Sequence, residues 1–292
     1  MKILITGGSG FIGKNLVEFL GQKYEVAAPS HRELELLDES AVDRYLKLRK
    51  FDVVIHAANI PCSRKIKDPK NVAVGNLKMF FNIVRSRSHF SKMIFLGSGS
   101  EYDMRYDISR VKESDFDKRV PADELGFSKY VCSKYIEKSS NIVNLRLFGV
   151  FGKYEDYQIR FISNAICKAI YDLPITIKQN RVFSYLFIDD LCRIIEYLIE
   201  HEAKHKFYDV IPYEITDLMS IAKRVEEVSK KKLEIIVHAS GSGREYTADN
   251  SLLINEIRDF KFTPLEEAIK KLYKWYEENK ATINRTLLLY DL

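Results

Sequence analysis

The chain has 292 residues and a mass of 34.0 kDa, enough to bury a full core in one large domain or in a core domain carrying a smaller one. With 46% hydrophobic and 30% charged residues it has a soluble globular make-up, which excludes a disordered or fibrous chain. The net charge of +5 is mild and spread along the sequence, so no nucleic-acid partner is expected, and no run approaches the roughly 18 apolar residues of a membrane span. Cys62, Cys132, Cys167 and Cys192 form no CxxC pair or disulfide framework, which points to a reducing compartment. The start "MKILITGGSGFIG" lacks the pattern of a signal peptide. A cytoplasmic location is expected.

Apolar runs then alternate with helical patterns. "KILIT" (2–6) reads as a buried strand, 11–23 as a helix with Phe11, Leu16, Phe19 and Leu20 inward, and 24–29 as a strand. Residues 38–48 form a helix that Asp38 can cap. Further strands are expected at 51–58, 92–100 and 141–150, with helices near 69–88 and 123–139. This alternation implies an α/β fold, a doubly wound parallel sheet of Rossmann type over residues 1–150, with later segments returning to it. After residue 150 come helical stretches near 158–172, 189–201, 216–230 and 264–280 and short strands in "PITI", "FSYLFI" and "EIIVH". Residues 151–292 therefore read mainly as a smaller mixed α/β substrate-binding lobe, with a ligand cleft between the lobes.

"LITGGSGFIG" sets Gly7, Gly10 and Gly13 between the first strand and the first helix. A tight turn, the close approach of a pyrophosphate and the packing of helix on sheet each need a residue without Cβ, and the helix N-terminus offers N–H groups to phosphate. Phe11 and Ile12, inside this turn, are grouped with the glycines as cofactor contacts. The second strand runs into "APSHRELELLD", where His31 and Arg32 precede the first acid, Glu33. An arginine there suits a 2′-phosphate and a carboxylate suits a free ribose, so NADP(H) is favoured over NAD(H), with Asp38 also beside the cofactor; the alternative for Arg32 is a solvated loop charge. Ala57, Ala58 and Asn59 follow the next strand and should line the cofactor too.

"GFSKYVCSK" (126–134) places Tyr130 and Lys134 one helical turn apart. Spacing alone leaves open an ordinary helix surface or a proton donor with the cation that tunes it. The motifs "TGGSGFIG", "VVIHAAN", "FLGSGSEY", "YVCSK", "NLRLFGVFG" and "NRVFSYLFIDDL", in this order, resemble those of the extended short-chain dehydrogenases that act on nucleotide sugars, most of all GDP-fucose synthase-like 4-keto reductases. The resemblance implies Tyr130 as general acid or base, its phenol lowered from about 10 by Lys134. Lys134 would also hold the nicotinamide ribose. It implies that Ser98 binds the reacting carbonyl, with Ser100 as runner-up, and that Arg181 and Arg244 grip the diphosphate of a nucleotide-diphosphate sugar. It further implies a homodimer formed by helices 69–88 and 123–139.

Gly149 and Lys153 depart from the family pattern. Ser100 stands where GDP-fucose synthase has its epimerising cysteine, and no histidine occurs between 90 and 200. Simple 4-keto reduction is therefore expected. The alternatives are a 4-epimerase with tightly bound NAD and a non-catalytic dinucleotide sensor. Asp189–Asp190 reads as a helix cap rather than a metal pair, and no metal is expected.

Overall fold

In β1 (Lys2–Thr6), Ile3 and Ile5 enter one apolar cluster and Leu4 another, because successive strand residues point to opposite faces. A sheet apolar on both faces has to be covered on both. The structure is a computed structural model describing residues 1–60 and 71–290. Cys62 and the expected helical residues 69 and 70 fall outside the described residues.

After β1 come α1 (Phe11–Leu20), β2 (Glu25–Ala27), α2 (Glu39–Arg49), β3 (Phe51–His56), α3 (Val72–Arg85) and β4 (Phe90–Ser98). A short 3₁₀ turn, Gly99–Tyr102, leads to β5 (Ile108–Val111), α4 (Glu124–Ile136), β6 (Ile142–Leu147) and β7 (Gly149–Phe151). The second part contains α5 (Phe161–Ile170), β8 (Ile175–Asn180), β9 (Val182–Phe187), α6 (Ile188–Glu200), β10 (Phe207–Val210) and β11 (Ile215–Asp217). It ends with α7 (Leu218–Ser229), β12 (Ile235–Ser242), β13 (Tyr246–Ala248), α8 (Ser251–Glu256) and α9 (Leu265–Glu278).

The main sheet has six strands, all pairing in parallel, in the order β10-β6-β4-β3-β1-β2. Helices α1 and α6 cover one face, through residues such as Leu16, Leu20, Ile194 and Ile195. Helices α2, α3 and α4 cover the other, through Leu46, Phe80, Ile83 and Ile136. This is a Rossmann-like doubly wound fold. Its strand order reverses between β1 and β3, the place beyond the strands' carboxyl ends where sheets of this kind bind ligands.

A second sheet, β11-β9-β13-β5 with β7 also on β9, and the pair β12–β8 carry the rest, under α5, α7 and α9. The strand expected over 141–150 breaks at Phe148, so that β7 crosses to the second sheet. Gly149 permits the crossing: a Cβ there would stand 2.7 Å from the Ser184 carbonyl. Helix α6 and strand β10 return to the first sheet. The cap expected from Asp189–Asp190 is absent, since the N-cap of α6 is Phe187, with no side-chain bond. Asp190 is buried instead and accepts from the Thr263 N–H and hydroxyl, both at 2.8 Å, tying α6 to the segment before α9.

Glu155, beyond β7, is buried with the Ser163 hydroxyl donating to it at 2.6 Å, and burial raises its carboxyl to about 8. The folded chain thus keeps a proton that the unfolded chain releases near the ordinary 4.5, so this site costs stability increasingly as pH rises from about 4.5 to about 8. Glu155→Gln should raise the melting temperature more at pH 9 than at pH 5. Equal shifts at both, in thermal melts, would refute the assignment.

Candidate active site

The glycine turn is built as a cradle. Gly7 has φ +71°, and a Cβ on it would lie 2.7 Å from the Ala58 backbone; one on Gly13 would lie 2.1 Å from the Gly7 carbonyl. Neither position admits a side chain, and both keep β1, β3 and α1 in close contact. Gly10 caps α1 without a side-chain bond, leaving the first N–H groups of the helix directed at the crevice. Phe11 and Ile12 are half-buried there, as are Ala57 and Ala58 opposite, while Asn59 is exposed. The cradle fits a dinucleotide's pyrophosphate.

At the end of β2, His31 and Arg32 are exposed on a turn. Glu33 is turned back, accepting from the Ser30 N–H at 2.8 Å and hydroxyl at 2.9 Å, and these bonds hold its carboxyl below the ordinary range. Asp38 caps α2, accepting from Ala41 N–H at 3.0 Å.

Ser98 ends β4 two strands from β1, across β3. Its Oγ accepts from the Ser100 N–H at 3.1 Å and meets the Ser100 hydroxyl at 2.9 Å, so the two serines form one unit. Glu101, fully buried, closes the 3₁₀ turn by accepting from the Ser98 N–H at 3.2 Å. It also accepts from Ser133 Oγ on α4 at 2.6 Å and Arg146 Nε on β6 at 2.7 Å.

Helix α4 lays its first turns on this corner. A Cβ on Gly126 would stand 2.8 Å from the Ser100 carbonyl. Lys129 is buried, donates to the Leu96 carbonyl at 2.7 Å and lies over the Phe95 ring, 4.5 Å from its centroid. Phe95 in turn stacks on His56 of β3, which hydrogen-bonds Thr6 of β1 at 2.7 Å. Burial lowers the Lys129 ammonium.

Tyr130 and Lys134 occupy a different face, since each residue turns the helix by about 100°. The Tyr130 hydroxyl donates to Asp117, and its ring packs on Phe116, which stacks on Phe207 of the edge strand β10. Lys134 pairs with Asp117 at 2.9 Å and with Glu137 at 2.8 Å. The bond to Asp117 raises the Tyr130 phenol, opposite to the lowering expected from Lys134. The geometry differs from the expected pairing with Ser98: Tyr130 and Lys134 are engaged with Asp117 over the β6–β10 end, while Lys129 reaches the carbonyl of Leu96, two residues before Ser98 on β4. The buried lysine is five residues earlier, and Leu125 stands one turn before it. Two Ser-Lys dipeptides, 128–129 and 133–134, carry the signal; the tyrosine drew the reading to the second.

Arg181 and Arg244 do meet. The Arg181 Nε donates to the Arg244 carbonyl at 2.8 Å, and Arg244 donates to the Met104 carbonyl at 3.2 Å. Tyr246, which sequence reasoning passed over, comes from the same segment and sets its hydroxyl beside the Ser98–Gly99 turn, 2.7 Å from where a Cβ on Gly99 would stand. Among the described residues no cluster of metal-binding side chains occurs.

A phosphate cradle at a sheet reversal, with serine and lysine at the next strand's end, defines a nicotinamide-dinucleotide enzyme of the extended short-chain dehydrogenase type. The chain belongs to the NAD dependent epimerase/dehydratase family, whose model matches residues 3–211. It is 25% identical over 227 residues to GDP-L-colitose synthase of Yersinia pseudotuberculosis, covering 70% of this chain and 74% of that protein. Among solved structures it is similar to a GDP-mannoheptose C4 reductase from Campylobacter jejuni with NADP bound (TM-score 0.79, 20% identity, 94% of this chain and 98% of that one). It is similar also to dTDP-glucose 4,6-dehydratase from Bacillus anthracis in complex with NAD (TM-score 0.80, 17% identity, 98% and 99% covered).

Among the described residues no carboxylate forms an ion pair with buried Lys129, and an ammonium desolvated in this way costs stability. Lys129→Met should leave the melting temperature equal or higher while weakening dinucleotide binding ~10-fold or more. A lower melting temperature with unchanged binding, by calorimetry and cofactor titration, would make Lys129 a structural residue.

Proposed function

We propose that the chain reduces the 4-keto group of a nucleotide-diphosphate sugar with NADPH. Ser98 holds the carbonyl oxygen, Lys129 the nicotinamide ribose hydroxyls, and Arg181 with Arg244 the diphosphate. The roles first given to Lys134 thus pass to Lys129. The observation that carries the reading is the Ser98–Ser100 pair: at 2.9 Å it offers hydroxyls to a carbonyl oxygen but no base able to take a proton from carbon. Reduction needs the first and epimerisation beside the carbonyl needs the second.

NADP(H) is favoured because Glu33, the acid nearest the end of β2, is occupied by Ser30, leaving His31 and Arg32 exposed to meet a 2′-phosphate. A homodimer through α3 and α4 is part of this reading, supported by exposed Val74 and Phe127 on those helices. So is a cytoplasmic location, in keeping with the free, buried Cys132, Cys167 and Cys192.

A panel of 4-keto-6-deoxy nucleotide sugars tests the proposal through NADPH oxidation. Consumption with at least one sugar is expected. Protein that purifies with tightly held NAD and interconverts 4-epimers without consuming NADPH would be an epimerase instead. Arg32→Ala should weaken NADPH ~10- to 100-fold and leave NADH nearly unchanged, the worth of a charge-assisted phosphate contact. Equal weakening of both cofactors in fluorescence titrations would end the NADP assignment.

A further inference from the structure

The reductase reading leaves one proton unaccounted for. Hydride adds to the carbonyl carbon, and the oxygen then needs a donor. Helix α4 carries no phenol one turn before Lys129, where Leu125 stands, and the Tyr130 hydroxyl is spent on Asp117.

Tyr246 fills the gap from the second sheet. Its ring is buried between Phe148 and Phe183, with centroids 4.9 and 6.1 Å away. This packing presses the hydroxyl onto the end of β4, beside Ser98, 2.7 Å from where a Cβ on Gly99 would be. A serine hydroxyl has one hydrogen and two lone pairs. The Ser100 N–H and the Ser100 hydroxyl both donate to Ser98; once the Ser100 hydroxyl turns to a ligand, one lone pair of Ser98 is open to the Tyr246 O–H and the hydrogen of Ser98 can point at that ligand. Burial holds the Tyr246 phenol above its ordinary value, so it stays protonated as a donor.

Resting on the reductase reading, we propose that Tyr246 is the positioning residue that supplies the proton through Ser98. Hydride forms the new C–H bond, and the carbonyl π electrons move to oxygen. That oxygen takes the hydroxyl proton of Ser98, and Ser98 takes the phenolic proton of Tyr246. After the alcohol leaves, the phenolate recovers a proton from water by the same path. Arg244 lies two residues before Tyr246, so the segment that grips the diphosphate also delivers the phenol, coupling substrate binding to proton supply.

The test compares wild type, Tyr246→Phe and Tyr246→Phe with Leu125→Tyr, measuring NADPH oxidation with the active 4-keto sugar and, separately, NADPH binding by fluorescence. Tyr246→Phe should lower kcat ~100-fold with KM and NADPH affinity nearly unchanged, in the range of a lost general acid. Leu125→Tyr, which restores a phenol one turn before Lys129, should recover ~10-fold or more of that loss. A kcat within a factor of about three of wild type overturns the relay and leaves the reductase standing. So does a loss of NADPH affinity equal to the loss of rate, or a double variant with no recovery, either of which makes Tyr246 a packing residue. A wild type that oxidises NADPH with no sugar in the panel overturns both readings.

Discussion

Glu101 decides where everything else in the site can stand. Its carboxylate binds the Ser98 N–H within its own turn, Ser133 on α4 and Arg146 on β6, with Asn144 at 3.3 Å completing the set. Arg146 is as buried as its partner, its guanidinium 4.4 Å from the Phe116 ring centroid and 4.7 Å from that of Phe207. Burying such a pair gains little net energy, but removing either partner strands the other charge at a cost of about 3–5 kcal/mol. The consequence is geometric. Ser133 faces Glu101, Lys129 lies four residues earlier on the same face, and Tyr130 sits about 100° further round the helix.

That rotation explains what a reader of the sequence can and cannot see. The glycine turn is legible because all its causes are local: a strand, a reversal that forbids Cβ and a helix start lie within residues 2–13. The alternation that builds the sheet is legible for the same reason. The phase of α4 is not, because it is fixed by a carboxylate more than thirty residues upstream in the chain and by an arginine beyond the helix. Two Ser-Lys dipeptides five residues apart offer the helix two phases, and local spacing favours the one that also has a tyrosine. A signal was present in "SGSE" (98–101), the S-x-x-E pattern of a capping box, which marks Glu101 as turned back onto its own backbone.

The second sheet is harder still to read. β13 has three residues, pairs in parallel with β5 and β9, and brings Tyr246 to Ser98 across more than a hundred residues of chain. Nothing near Tyr246 in sequence announces that contact; it exists because Phe148 and Phe183, from two other parts of the chain, form the wall on which its ring rests. The return of β10 to the edge of the first sheet is of the same kind. It is secured by buried Asp209, which accepts from the Tyr102 hydroxyl at 2.7 Å and receives no local cue. Burial holds that carboxyl well above the ordinary range.

The same closure leaves Lys129 in an unusual position. Glu101 is the carboxylate on its side of the helix, but its oxygens are occupied by Arg146, Ser133, Asn144 and a backbone N–H. An ammonium has three hydrogens to donate, and the Leu96 carbonyl takes one of them. With an aromatic face beneath it and desolvation lowering its affinity for the proton, Lys129 gains more from an added acceptor than an exposed lysine does. In the proposed reading, ribose hydroxyls supply such acceptors. The buried arginine acts from behind: it engages the Glu101 carboxylate at 2.7 Å, and that carboxylate forms no ion pair with Lys129 among the described residues.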